Sequence, residues 1–81
     1  MIKVLLVDDH DIVRIGIRMV IEKMPGIKIV GESNDGYQAI EQVQSLKPDV
    51  VLMDVNMPRM SGLEATRKIT EMDKYVRIII L

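Results

Sequence analysis

The sequence contains no cysteine, tryptophan or phenylalanine, and its only aromatic residues are Tyr37 and Tyr75. Without cysteine, neither a disulfide nor a thiolate metal site can stabilise the fold. Two tyrosines do not make a platform on which nucleic-acid bases stack. Disulfide scaffolds and base-stacking nucleic-acid modules are therefore excluded.

Strong charge and long apolar runs are also lacking. The net charge is -1 and the sequence pI is about 5.7, which argues against nucleic acid as a direct partner. No apolar run approaches the roughly 20 residues that span a bilayer, and Met1-Ile2-Lys3 begins no signal-peptide pattern. We expect no membrane segment and a cytoplasmic location. At 81 residues and 48% hydrophobic content, the chain is one globular domain at most.

Short apolar runs typical of buried strands alternate with segments of helical periodicity. Strands are expected at Ile2–Val7, Ile27–Gly31, Val50–Met53 and Val76–Leu81, the last one fully buried. Helices are expected at Ile12–Met24, Gly36–Leu46 and from Ser61 to about Met72. Asp35 with Gln38, and Ser61 with Glu64, resemble capping boxes at two of these helices. The first helix has an apolar face made of Ile12, Val13, Ile17, Val20, Ile21 and Met24, and the third has a stripe of Ala65, Ile69 and Met72.

This alternation predicts an α/β fold with a doubly wound parallel sheet, because strands joined through helices run parallel. In the flavodoxin-like (CheY-like) strand order, strands two and three flank strand one. Right-handed crossovers then put the first helix on one face and the other two helices on the opposite face. The carboxyl ends of strands one and three meet at the switch point, where such sheets bind ligands.

Aspartates follow both of these strands. Asp8-Asp9 comes directly after Val7, and Asp54 comes directly after Met53. Two carboxylates about 4 Å apart repel by roughly 4 kcal/mol at an effective dielectric near 20, so such a cluster needs a cation or retained protons. Oxygen ligands favour a hard cation, and Mg²⁺ suits a site that also handles phosphate. A carboxylate beside Mg²⁺ can act as a nucleophile towards phosphorus.

Simpler interpretations exist for single residues. Asp8-Asp9 alone fits a solvated helix N-terminus equally well. His10 is expected to form a local hydrogen bond rather than to be a ligand or a base, and Asn56 fits a turn. Packing residues are expected at Met57 and Met60, and a solvated face is expected at Arg14, Arg18 and Lys23.

Three segments together resemble the receiver domain of two-component response regulators. They are Val4 to His10, Asp49 to Asp54, and the Met-Pro segment from Met57 to Ala65. The stretch Gly62 to Lys68 is similar to regulators with a LuxR-type helix-turn-helix domain, especially the GacA/UvrY kind. The resemblance spans the whole chain.

The resemblance implies a role for each site residue. Asp54 is the phosphoacceptor, Asp9 a direct Mg²⁺ ligand, and Asp8 acts through water or hydrogen bonding. Asp54 is also a metal ligand, and the backbone carbonyl of Asn56 is the third protein ligand, after Asp9 and Asp54. The phosphoryl donor is a phosphohistidine on a sensor histidine kinase or phosphotransfer protein, which docks on the first helix near Arg14 and Arg18.

The resemblance also implies parts that these 81 residues do not contain. They are a Ser or Thr after strand four, a Lys at the end of strand five, two further helices and a DNA-binding domain. We therefore expect residues 1–81 to be a partial receiver domain, truncated after the fourth strand. We expect it to be phosphorylated poorly and to be unable to signal. We also expect it to self-associate through pairing along the open edge of strand four, exchange of elements or face-to-face packing.

Three alternative functions are compatible with this fold class. A phosphatase with an aspartyl nucleophile needs an Asp two residues after it, where Asn56 stands. A nucleotide- or flavin-binding domain needs a Gly-rich loop after the first strand, where Asp8-Asp9-His10 would repel phosphates. An inert interaction module with the same fold differs from a receiver in its affinity for Mg²⁺.

Overall fold

The computed structural model describes all 81 residues as a parallel β-sheet flanked by three helices. In chain order the elements are β1 (Ile2–Val7), α1 (Asp11–Glu22), β2 (Ile27–Ser33), α2 (Gly36–Leu46), β3 (Val50–Met53), α3 (Gly62–Met72) and β4 (Arg77–Ile80). The strand order is β2-β1-β3-β4, and every pairing is parallel. The predicted doubly wound sheet, with β2 and β3 on either side of β1, is confirmed. None of the helices is long and apolar enough to cross a membrane.

The first and last residues of β1, α2 and β3 are those predicted from the sequence. Those of α1, β2 and β4 differ, and β4 is one residue shorter at each end than predicted. Helix α1 begins one residue earlier and ends two residues earlier than predicted. Strand β2 continues beyond Gly31 to Ser33, because β1 pairs with it up to the partners Val7 and Ser33. A register shift between Val4 and Leu5 of β1 accommodates one extra residue of β2.

Side chains cap two of the helices at their N-termini. Asp35 Oδ1 accepts a hydrogen bond of 2.8 Å from the Gln38 N–H, and Ser61 Oγ accepts one of 3.2 Å from the Glu64 N–H. Gln38 reaches one residue further back than a capping box requires, since its Oε1 accepts from the Asn34 N–H at 3.1 Å. Both predicted helix starts are therefore confirmed.

The hydrophobic core lies between the sheet and the pair α2 and α3. Both predicted packing residues, Met57 and Met60, belong to it. Its buried members are Leu5, Val7, Ala39, Val43, Val51, Met53, Met57, Met60, Ala65, Ile69 and Val76. Met72, the last residue of the predicted apolar stripe of α3, lies in the last helical turn and is exposed.

The other face of the sheet is covered only in part. Of the apolar face predicted for α1, Ile21 alone is buried, and Ile12 is 85% exposed. Strand β4 was expected to be fully buried, yet Ile79 is 52% exposed and Ile80 is 43% exposed. The expectation for β4 was wrong because α1 packs over β2 with no other helix beside it, so the edge strand β4 has no cover on that face.

Candidate functional site

The ends of β1 and β3 bring the three predicted aspartates together. Val7 and Met53 are register partners, so the residues that follow them lie side by side. The Asp54 N–H donates to the Val7 carbonyl at 2.9 Å, which continues the strand pairing into the site. Carboxylate oxygens of Asp8, Asp9 and Asp54 and a ring nitrogen of His10 lie within 4.8 Å of one another.

The aspartates differ in environment. Asp8 is buried, whereas the side chains of Asp9 and Asp54 are 27% and 17% exposed. Burial raises the pKa of the Asp54 carboxyl group, and the negative charges of Asp8 and Asp9 add to that rise. A hydrogen bond of 3.2 Å from the Asn56 N–H to Asp54 Oδ1 opposes it. A nearby cation would therefore stabilise the ionised form of the Asp54 carboxyl group.

His10 lies inside the acidic cluster. Its Nδ1 is 2.9 Å from Asp8 Oδ1, 3.0 Å from Asp9 Oδ1 and 3.8 Å from Asp54 Oδ2. The hydrogen bond with Asp8 and the charge of Asp9 raise the pKa of the imidazole. The predicted local hydrogen bond is present, but the contact with all three aspartates was missed. The position of His10 directly after Asp8-Asp9 was the feature of the sequence that indicated this contact.

One oxygen of the cluster has no hydrogen-bond donor. Asp9 Oδ1 is buried, and no N–H or O–H is directed at it. Because Nδ1 carries at most one proton and hydrogen-bonds Asp8, it cannot also serve Asp9. An unpaired buried carboxylate oxygen beside two further carboxylates fits a hard divalent cation. The Asn56 carbonyl as a further ligand stays a prediction.

Arg14 does not belong to a solvated face, as its position in the sequence suggested. Its side chain is only 18% exposed, and its Nη1 donates to the backbone carbonyl of Asp8 at 3.0 Å. Its Nε lies 3.6 Å from Glu32 Oε1, while Arg18 Nη1 donates to Glu32 Oε2 at 2.5 Å. These contacts connect α1 to the loop that carries the acid pair and to the end of β2.

The loop that follows Asp54 is fixed against the start of α2. Arg59 forms an ion pair with the buried carboxylate of Asp35, the residue that also caps α2. The Met60 side chain packs against Gly36, where a Cβ would lie 2.8 Å from the Met60 sulfur. Sequence patterns indicated the cap and the packing methionine but not the ion pair, since its partners are 24 residues apart.

A parallel sheet with three aspartates at its switch point defines a class of protein: the chain belongs to the response regulator receiver domain family, whose family model matches residues 4–81. It is 53% identical over 81 residues to Response regulator UvrY of Escherichia coli (strain K12) and 47% identical over 79 residues to Response regulator GacA of Pseudomonas syringae pv. syringae (strain B728a). These alignments cover 100% and 98% of this chain but 37% of each relative. The chain thus spans little more than a third of their length.

Solved structures agree with this family. A two-component response regulator of the LuxR family from Aurantimonas sp. SI85-9A1 superposes with a TM-score of 0.92 at 44% identity, over 96% of this chain and 56% of that chain. The resemblance to receiver domains of the GacA/UvrY kind is thereby confirmed. Membership of this family argues against the phosphatase and the nucleotide- or flavin-binding alternatives. Receiver domains generally bind Mg²⁺ at an acidic pocket, and the aspartates described here form such a cluster.

Proposed function

We propose that this chain is a phosphoacceptor in two-component signal transduction and that Asp54 is the residue phosphorylated. The observation that carries this proposal is the position of Asp54 at the switch point, partly exposed and beside Asp8 and Asp9. A carboxylate oxygen of Asp54 attacks the phosphorus of a phosphohistidine. The new O–P bond forms as the N–P bond breaks, and the released imidazole takes up a proton from water.

The other site residues orient Asp54 and hold the cation. The Asn56 N–H fixes the Asp54 carboxylate through its Oδ1. Asp9, whose buried oxygen lacks a donor, is a direct ligand of Mg²⁺, and Asp8 supports it through water or hydrogen bonds. The backbone carbonyl of Asn56 completes the protein ligands. When bound, Mg²⁺ offsets negative charge on the phosphoryl group.

Within these 81 residues, the charge of a phosphorylated Asp54 has few partners. Phosphorylation adds roughly -1.5 to -2 charges. His10 is the only basic side chain within 4.0 Å of the Asp54 carboxylate, and no lysine lies that close. With so few partners for the added charge, we expect these 81 residues by themselves to be phosphorylated poorly.

A small phosphodonor tests whether Asp54 can be phosphorylated without recognition of a kinase. The chain is incubated with acetyl phosphate and Mg²⁺, and the intact mass is measured for the wild type, Asp54→Asn and Asp49→Asn. Asp49 is the matched control, because it precedes the same strand that Asp54 follows. A small modified fraction is expected in the wild type and in Asp49→Asn, with none in Asp54→Asn. Modification that persists in Asp54→Asn would refute the assignment, and complete, stable modification of the wild type would refute the low reactivity.

The kinase or phosphotransfer protein docks on α1. This helix exposes an apolar stripe of Ile12, Ile15 and Met19, spaced so that the three side chains share one side of the helix. Arg14 faces the protein instead, so apolar contact rather than the arginines dominates this surface. DNA is bound only through a helix-turn-helix domain in the longer protein, which acts as a cytoplasmic transcription regulator.

A second candidate function is self-association of this segment as an interaction module. Strand β4 is an edge strand, and Ile79, Ile80 and Leu81 are each about half exposed. An open apolar edge offers unpaired backbone groups to a second chain. Two copies that pair along β4 would cover these side chains.

A further inference from the structure

His10 places a nitrogen atom where a ligand of the cation would lie. In an octahedral site with metal–ligand bonds near 2.1 Å, adjacent ligand atoms are about 3.0 Å apart and opposite ones about 4.2 Å. His10 Nδ1 is 2.9 Å from Asp8 Oδ1 and 3.0 Å from Asp9 Oδ1, which is the adjacent spacing. It is 3.8 Å from Asp54 Oδ2, between the two spacings. A cation among these oxygens is therefore within reach of Nδ1 while the ring stays in place.

The imidazole can act as a ligand once the cation takes the place of the hydrogen bond between Nδ1 and Asp8. A ligating nitrogen has to be without its proton, so the ring has to carry that proton on Nε2. The His10 side chain is 63% exposed, which leaves the ring accessible to water. Its side chain does not cap α1, although His10 occupies the N-cap position, so binding a cation breaks no helix cap.

We propose that His10 Nδ1 is a metal ligand together with Asp9 and Asp54, with Asp8 supporting the site through water or hydrogen bonds, and that the pocket binds first-row transition cations such as Co²⁺ and Mn²⁺ more tightly than Mg²⁺. The inference rests on the proposed cation site and adds a donor to it. Imidazole nitrogen suits transition metals, whereas Mg²⁺ prefers oxygen ligands and keeps its waters. The aspartates hold either kind of cation, and His10 supplies the preference between them.

Calorimetric titrations with Co²⁺ and Mg²⁺ test this preference. The pair compared is the wild type and His10→Phe, which keeps a planar ring but has no nitrogen donor. Circular dichroism verifies that both are folded. We expect His10→Phe to lose about tenfold or more in affinity for Co²⁺, with its affinity for Mg²⁺ unchanged within about twofold.

Pulsed electron paramagnetic resonance of the Mn²⁺-loaded chain reports the ligand directly. His10 is the only histidine in the sequence, so an imidazole ¹⁴N modulation can arise from no other residue. The modulation is expected in the wild type and absent in His10→Phe. Equal Co²⁺ affinity in the two proteins, or no ¹⁴N modulation in the wild type, would overturn the proposal.

A third variant distinguishes failure of this inference from failure of the cation site. Asp9→Asn is expected to weaken both Co²⁺ and Mg²⁺. If it does so while His10→Phe changes neither cation, the aspartate site stands and His10 is not a ligand. If His10→Phe binds both cations more tightly, the imidazole competes with the cation, and the proposal is wrong. If Asp9→Asn changes neither affinity, the cation site itself is wrong.

Discussion

Gly62 lies so close to Asp54 that a Cβ on Gly62 would be 2.0 Å from the Asp54 carbonyl oxygen. No side chain fits at this distance, and the obstacle is backbone rather than a flexible side chain. The Gly62 N–H also donates to the Val55 carbonyl at 2.8 Å. The first residue of α3 therefore packs against the backbone of Asp54 and holds it in place.

Gly62→Ala should destabilise the chain and displace Asp54. Overpacking against backbone typically costs about 2 kcal/mol, which lowers the Tm of a domain of this size by roughly 10 °C. Gly16→Ala is the control, since nothing lies within 4 Å of a Cβ there and the site is a helix interior. It should raise stability by up to about 1 kcal/mol. A Gly62→Ala variant as stable as the wild type in a thermal melt would contradict the close approach.

Asp35 combines two interactions that different substitutions separate. Asp35→Asn keeps an oxygen that can accept from the Gln38 N–H but loses the charge that pairs with Arg59. Asp35→Ala loses both, and the lost helix cap alone costs about 1 kcal/mol. Free energies of unfolding from urea titration should therefore fall in the order wild type, Asp35→Asn, Asp35→Ala. An Asp35→Asn variant more stable than the wild type would show that the buried charge is a net cost, and an Asp35→Ala variant more stable than Asp35→Asn would contradict the cap.

Asp9→Asn should stabilise the chain when divalent cations are removed by EDTA. The substitution removes one of three clustered negative charges, and that charge has no hydrogen-bond donor at Oδ1. The gain is on the order of 1 kcal/mol. Mg²⁺ at 100 times its Kd should stabilise the wild type by about 2.7 kcal/mol and the variant much less. Equal Mg²⁺-induced shifts in the thermal melts of the two proteins would rule out Asp9 as a ligand.

Ile15→Lys should slow phosphotransfer from a phosphorylated histidine kinase without changing the reaction with acetyl phosphate. The lysine puts a charge in the apolar stripe of α1 but leaves the aspartate cluster untouched. Leu63→Lys on α3 is the matched control, because Leu63 is also apolar and is 60% exposed. Initial rates with radiolabelled kinase provide the measurement. If both lysine variants slow transfer equally, α1 is not the docking surface.

Ile79→Lys should keep the chain monomeric at concentrations where the wild type self-associates. A charge on an edge strand disfavours pairing with another chain. Tyr75→Lys is the control, since Tyr75 is more exposed, at 92%, but precedes β4. Light scattering at tens of micromolar, a range suited to weak contacts, should show assemblies of wild type and Tyr75→Lys alone. A monomeric wild type would refute self-association.

The sequence predicted those features that depend on neighbours along the chain. Apolar runs, the caps at Asp35 and Ser61, and acids directly after strands are local signals, and they indicated the sheet and the aspartate cluster correctly. Burial of β4 was mispredicted because it depends on what packs against the strand. An apolar face such as that of α1 has the same sequence pattern whether or not it is covered.

Contacts between distant segments were also not predictable. Arg14 appeared to be an exposed helical residue, but it reaches back to the Asp8 carbonyl and across to Glu32. The Arg59 ion pair with Asp35 joins two loops that only the fold brings together. His10 was the intermediate case, since its place after the acid pair was visible but the direction of its ring was not.

The uneven covering of the sheet should give β1 and β4 different rates of amide hydrogen exchange. Val4 to Val7 of β1, which lead into Asp8, are buried, while β4 at the edge is half exposed. Regions with few buried contacts open locally first, and the Leu81 N–H that bonds to the Met53 carbonyl lies at the end of β4. Fraying there removes one hydrogen bond from Met53, the residue directly before Asp54, although Met53 stays paired with β1. The strand that leads into Asp54 should therefore lose a pairing partner more often than the strand that leads into the acid pair.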